Sequence, residues 1–172
     1  MSELPGNFFT QAGMESTLRH FTDYQNQMQG TISGCMGIQF VGCSYVDKTA
    51  TFAFDVDEWK RNPGGVMHGG ALSTALDIAM GSNTCYWAGC RLTPTVTLQM
   101  NFLRPIFVGS RLILKTQVHA CGRTTAYATV YGWMEGKEDR SVVTGSGVYH
   151  VPAEHDAIAE VLDAAMAEIM KA

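Results

Sequence analysis

Between Arg61 and Arg91 the chain carries one formally charged side chain, Asp77, set in its most apolar helix-patterned stretch. A carboxylate in such a setting must be hydrogen-bonded, paired or open to a cavity, because burying an unpaired charge is costly. Two readings follow: Asp77 bonds a neighbouring hydroxyl or amide and merely fixes the helix, or it works as a base or nucleophile. The start of the same helix favours chemistry. It reads His68-Gly69-Gly70, preceded by Gly64 and Gly65. Free N–H groups at a helix start stabilise negative charge, and glycine lets a ligand approach the backbone closely. An oxyanion hole needs both features, although glycines before a helix also make plain turns.

Spacing sharpens the reading. Gly70 and Asp77 are seven residues apart, which puts them on one helix face but about 10 Å apart along the axis. One acid cannot attack a carbonyl held over the start of its own helix. If both act in one reaction, the acid comes from one subunit and the helix start from another, and the protein is an obligate oligomer. Composition points the same way: 46% of the 172 residues are hydrophobic and 16% charged, a low charged fraction for a small monomer.

Other polar residues surround these two. His68 at the loop–helix junction can orient a carbonyl, act as a base or satisfy loop carbonyls. Asn62, six residues earlier, can hold a water or carbonyl through its amide, or start an ordinary Asn-Pro turn. Thr97, on the polar side of an alternating run, and Ser73, one turn before Asp77, each offer a hydroxyl to the carboxylate or to a lytic water, or serve as plain packing. Gly122-Arg123-Thr124, following Cys121, combines a glycine, a fixed cation and a hydroxyl in a turn, as a phosphate contact or a solvated hairpin would.

The elements that must position these residues can be read from periodicity. Met14, Leu18, Phe21, Tyr24 and Met28 recur at helical spacing over Met14 to Gln29. Period-two runs over Ile38 to Val46 and Thr49 to Val56, with Asp47-Lys48 between, predict a hairpin. Apolar residues run nearly all round the segment Gly69 to Trp87, which predicts a buried central helix. Strands are expected over Thr95 to Leu103, Arg111 to His119, Thr124 to Met134 and Ser141 to Val151, as an antiparallel meander. A last amphipathic helix is expected over 153–172. The sum is α+β: an N-terminal helical extension over 1–30, a main domain over 31–152 and the C-terminal helix.

Several classes are excluded. The net charge of −4 comes with no block of Lys or Arg, so nucleic acid is not an expected partner. Asn62 to Cys90 is long enough for a membrane span but carries Asn62, Pro63, several glycines and Asp77, and no transmembrane helix or signal peptide is expected. The five cysteines, Cys35, Cys43, Cys85, Cys90 and Cys121, form no CxxC pair. They read as reduced thiols of a cytoplasmic protein without a metal or disulfide.

The run Asn62-Pro63-Gly64-Gly65-Val66-Met67-His68-Gly69-Gly70, with Asp77 nine residues after the histidine, resembles the PaaI-like, phenylacetic-acid-degradation branch of the hotdog-fold acyl-CoA thioesterases. Thr97-Leu98-Gln99-Met100-Asn101-Phe102-Leu103-Arg104-Pro105, followed by Gly109, resembles the family's next strand, and Gly122-Arg123-Thr124 its coenzyme A loop. The likeness covers roughly residues 35 to 151. It implies a hotdog fold, a long helix wrapped by a curved antiparallel sheet, in a homodimer or a homotetramer built as a dimer of dimers. It implies that Asp77 is the nucleophile or general base, that the Gly69 N–H polarises the thioester carbonyl, and that His68 and Asn62 of the facing subunit position carbonyl or water. Thr97 would help place the water, and Gly122, Arg123 and Thr124 would meet coenzyme A, which is part of the substrate; no separate cofactor is expected. A hotdog enoyl or hydroxyacyl thioester dehydratase and a non-catalytic acyl-CoA binding protein are the alternatives. The N-terminal extension either covers the acyl pocket or caps the sheet, and Phe8, Phe9, Trp87, Phe102 and Trp133 are the aromatic candidates for lining that pocket.

Overall fold

A computed structural model describes residues 6–153, so the C-terminal helix expected over 153–172 lies, beyond its first residue, outside the described residues. Among the described residues there are three α-helices, α1 (Gln11–Gln27), α2 (Ile32–Met36) and α3 (Gly69–Trp87), and a 3-10 turn over Glu58–Lys60. The strands are β1 (Gln39–Ser44), β2 (Thr49–Asp55), β3 (Thr95–Phe102), β4 (Arg111–Cys121), β5 (Thr125–Met134) and β6 (Ser141–His150). No helix among the described residues is long and apolar enough to cross a membrane.

Local chemistry explains the helix ends. Thr10 caps α1 by accepting from the Gly13 N–H, and Met14, Leu18 and Phe21 form its buried stripe. Thr31 caps α2 in the same way, and Gly37 ends it in the left-handed region at φ 65°. This one-turn helix is too short to carry a period, and the sequence pattern does not reveal it. Along α3, Leu72, Ala75, Leu76, Ala79, Met80 and Asn83 are all buried, as expected of a central helix.

The six strands form one antiparallel sheet in the order β1-β2-β4-β5-β6-β3. The expected four-strand meander therefore holds only for β4, β5 and β6. β3 pairs with β6 and lies at the edge, while β4 pairs with β2. The connection from β3 back to β4 passes the start of α3, where Met67 N–H donates to the Ile106 carbonyl at 2.8 Å. The central helix touches β2, β3, β4, β5 and β6, so the one sheet is packed along it.

The first helix is stitched to both the sheet and α3. Gln11 binds the Cys43 carbonyl and the Tyr45 N–H at the end of β1. Asn26 donates to the Ile38 carbonyl, and Tyr86 of α3 donates to the Phe8 carbonyl at 2.7 Å. The β1 edge is thus covered by its own chain. Among the described residues nothing pairs with the outer side of β3, where Val96, Phe102 and the following Leu103 are all about half exposed.

Candidate active site

The loop before α3 is built around Asn62. Its Oδ1 accepts from the Gly64 N–H at 2.8 Å and the Val66 N–H at 3.3 Å, and its backbone exchanges bonds with Val66 and Gly65. A buried cation braces the loop: Lys60 Nζ donates to the Asp55 carbonyl and to Asp57, and the Lys60 carbonyl accepts from the His68 N–H. Asn62 thus makes the turn through its oxygen and leaves its amide nitrogen free to donate, since no described residue accepts from it.

His68 is the N-cap of α3, and its Nδ1 accepts from the Gly70 N–H at 2.8 Å. A neutral ring that accepts at Nδ1 carries its proton at Nε2, so the exposed edge of His68 is a donor. The Gly69 N–H has no acceptor among the described residues, and it stands beside a cleft of about 350 Å³ lined by Asn62, Gly69, Phe102 and Arg104. Helix start, histidine and asparagine are thereby gathered at one end of α3.

Asp77 lies elsewhere. Its Oδ1 accepts from the Thr95 hydroxyl at 2.7 Å and, more weakly, from the Tyr149 hydroxyl at 3.4 Å. Its Oδ2 takes no hydrogen bond from a described residue, and the side chain lines a second cavity of about 300 Å³. One oxygen is anchored and the other is available. Burial, then the adjacent Asp77 charge, pushes the Tyr149 phenol well above its ordinary range, so it remains a proton donor.

The hydroxyl on Asp77 belongs to Thr95, not to Thr97, and a bulge explains the difference. Thr95 pairs with Tyr149 and Thr97 with Val148, so an extra residue sits between them. Cross-strand partners share a face and successive residues alternate, so Thr95 points with Tyr149 toward α3 and Thr97 with Val148 to the other side. Ser73 does not reach Asp77 either; it donates to the Gly69 carbonyl and lies against the Met100 sulfur. Tyr149 carries no local signal at all, being 72 positions from Asp77.

Gly122, Arg123 and Thr124 form the β4–β5 turn, with Gly122 N–H donating to the Thr125 carbonyl and Val151 N–H to the Thr124 carbonyl. Arg123 is exposed. His150 N–H donates to Pro94, which places this turn at the end of the sheet where β3 begins beside Thr95. Of the five aromatic candidates for a pocket, Phe102 lines the helix-start cleft. None of the five lines the Asp77 cavity; Phe21, Tyr24 and Tyr149 do.

The two cavities share no lining residue. A long central helix with one antiparallel sheet packed against it is the architecture of the hotdog fold class. The thioesterase superfamily model matches residues 64–140, a span that holds the helix start, Asp77, Thr95 and the β4–β5 turn. PA0474 of Pseudomonas aeruginosa, a candidate esterase, is 34% identical over 104 residues, which is 58% of this chain and 73% of that protein. The chain belongs to the thioesterase superfamily, and its enzyme class is thioester hydrolase. Solved structures share the fold. The Escherichia coli PaaI protein of the phenylacetic acid degradation operon superposes with a TM-score of 0.69 at 19% identity, covering 84% of this chain and 97% of that one. The protein smu.793 from Streptococcus mutans UA159, solved bound to acetyl CoA, gives 0.59 at 20% identity, covering 67% and 89%.

Proposed function

We propose that this protein hydrolyses acyl-CoA thioesters to the free acid and coenzyme A, at a site shared between two subunits. The carrying observation is the asymmetry of Asp77, whose Oδ1 is tied to Thr95 while Oδ2 has no partner among the described residues, on a side chain that lines a cavity. As general base, Oδ2 takes a proton from water, and the water oxygen attacks the thioester carbonyl carbon. The carbonyl oxygen becomes an oxyanion that accepts from the Gly69 N–H of the facing subunit. Collapse breaks the C–S bond, and the leaving thiolate takes the proton back. As nucleophile, the same oxygen attacks the carbonyl carbon, the C–S bond breaks to expel the thiolate and leave a mixed anhydride on Asp77, and water cleaves that anhydride to the acid and the carboxylate, its proton going to the thiolate.

The shared site rests on distance. The carboxylate and the free amide occupy separate cavities of one protomer, so a second copy must supply one of them. The open apolar edge at Val96, Phe102 and Leu103 supplies a surface for self-association in a dimer or dimer of dimers. His68 Nε2 and the Asn62 amide donate toward carbonyl or water at the helix start. Because Nδ1 is occupied by Gly70, His68 is held as a donor and not as the base a dehydratase needs. Gly122, Arg123 and Thr124 contact the coenzyme A moiety, an acyl-CoA substrate being supported by the acetyl CoA bound in smu.793.

Free-thiol release from a panel of acyl-CoAs tests this reading. Asp77→Asn is expected to lower kcat by roughly 100-fold or more with coenzyme A binding nearly intact, because the loss falls on the transition state. Equal rates for wild type and variant would identify a binder and not a hydrolase.

A further inference from the structure

Gly81 stands one turn beyond Asp77, so a side chain there would lie beside the carboxylate on the same helix face. A Cβ built on it meets only Tyr149 Cε1, at 3.9 Å, an ordinary contact. Glycine inside a helix is less stable than alanine, and here the missing side chain is open cavity. The Asp77 cavity continues past Ile78 and Gly81 to Cys85, which at eight residues is about 12 Å along the helix. Its far wall is the N-terminal extension: Phe21, Tyr24, Gln25 and Met28. Gln25 Nε2 donates to Ser82 Oγ at 3.1 Å and ties that wall to α3.

The lining fixes what fits. Asp77 is its one charged residue, so a substrate carrying a second carboxylate finds no cation and meets a like charge. About 300 Å³ admits roughly ten heavy atoms, taking ~30 Å³ each as for a water molecule. A longer chain outruns the chamber and gains no further burial there.

Resting on the thioesterase reading above, we propose that this chamber is the acyl site, that it takes uncharged apolar acyl groups of up to roughly ten heavy atoms, and that Gly81 and α1 set its length. The N-terminal extension is then a specificity element and more than a cap on the sheet.

The experiment is kcat/KM for straight-chain acyl-CoAs from about two to sixteen carbons, read by thiol release. Wild type gains roughly three- to fourfold per buried methylene up to the limit and then falls. Gly81→Leu lowers the ratio of the eight-carbon rate to its own acetyl-CoA rate by roughly tenfold or more. Tyr24→Ala moves the limit to longer chains. Succinyl-CoA is a far poorer substrate than butyryl-CoA. A Gly81→Leu profile that superimposes on wild type overturns the proposal. If circular dichroism shows that Gly81→Leu does not fold, Tyr24→Ala carries the test, and an unchanged length limit overturns it. Calorimetric binding of S-octyl and S-ethyl coenzyme A, which cannot be hydrolysed, separates the two readings. A protein that cleaves no acyl-CoA but prefers the octyl thioether, with the preference lost in Gly81→Leu, keeps the chamber and refutes hydrolysis. Equal binding of both thioethers overturns the chamber.

Discussion

Thr95 donates its hydroxyl hydrogen to Asp77 Oδ1 at 2.7 Å across the bulge that turns Thr97 to the opposite face of the sheet. The carboxylate is therefore aimed by one strand position and ignored by its near neighbour. Hydrogen bonds to charged groups contribute about 1.5–3 kcal/mol. Thr95→Val is expected to lower kcat by roughly ten- to hundredfold, whereas Thr97→Val leaves it within about a factor of two. Steady-state kinetics of the two variants, side by side, checks this; equal losses would refute the assignment.

Gly69 is the first residue of α3 and follows His68 at φ −64° and ψ 136°, a conformation compatible with a following proline. Proline is also well tolerated at the first position of a helix, where its missing N–H costs no helical bond. Gly69→Pro should thus delete the proposed oxyanion donor and keep the fold, lowering kcat by roughly 100- to 1000-fold. Refolded as an equal mixture with Asp77→Ala, it should recover about a quarter of wild-type activity, because half of the dimers then hold one intact site of two. A site within one chain recovers nothing.

Tyr149 fits because Gly147 has no side chain. A Cβ at Gly147 would stand 2.7 Å from Tyr149 Cε2, and overpacking of this kind costs about 1–3 kcal/mol. Gly147→Ala is expected to lower Tm by about 2–4 °C per kcal/mol in a chain of this length. Tyr149→Phe removes only the long hydrogen bond to Asp77 and should change Tm much less. Thermal melts of both variants distinguish packing from hydrogen bonding.

Alkaline pH should unfold the protein. Burial pushes the Cys90 thiol from its ordinary 9.0 up to about 12 and raises Cys85, Tyr86 and Tyr149 as well. The native state keeps protons that the unfolded chain loses, so this contribution is complete below about pH 9.0 and falls as pH rises toward about 12 for Cys90. Cys90 removes about 1.4 kcal/mol per pH unit across that window. Urea midpoints measured between pH 8 and pH 11 should fall steadily from pH 9 upward; a flat profile contradicts the burial of these groups.

Local pattern was enough to locate α1, the β1–β2 hairpin, all of α3 and the strand segments, because period and capping are written in neighbouring residues. It was also enough to single out Asp77 and the His68-Gly69-Gly70 start, since an isolated charge in an apolar helix and a glycine run stand out in one dimension. Pairing was a different matter. Which strand lies beside β6 depends on where α3 leaves the chain, and no period-two pattern records that. Nor does alternation survive a bulge: one extra residue on β3 puts Thr95, and not Thr97, on the face that meets Asp77. Tyr149 meets the carboxylate, and Phe21, Tyr24 and Met28 wall its cavity, from dozens of positions away. Contacts of that range form only when the sheet closes against the helix, and chain neighbours hold no trace of them.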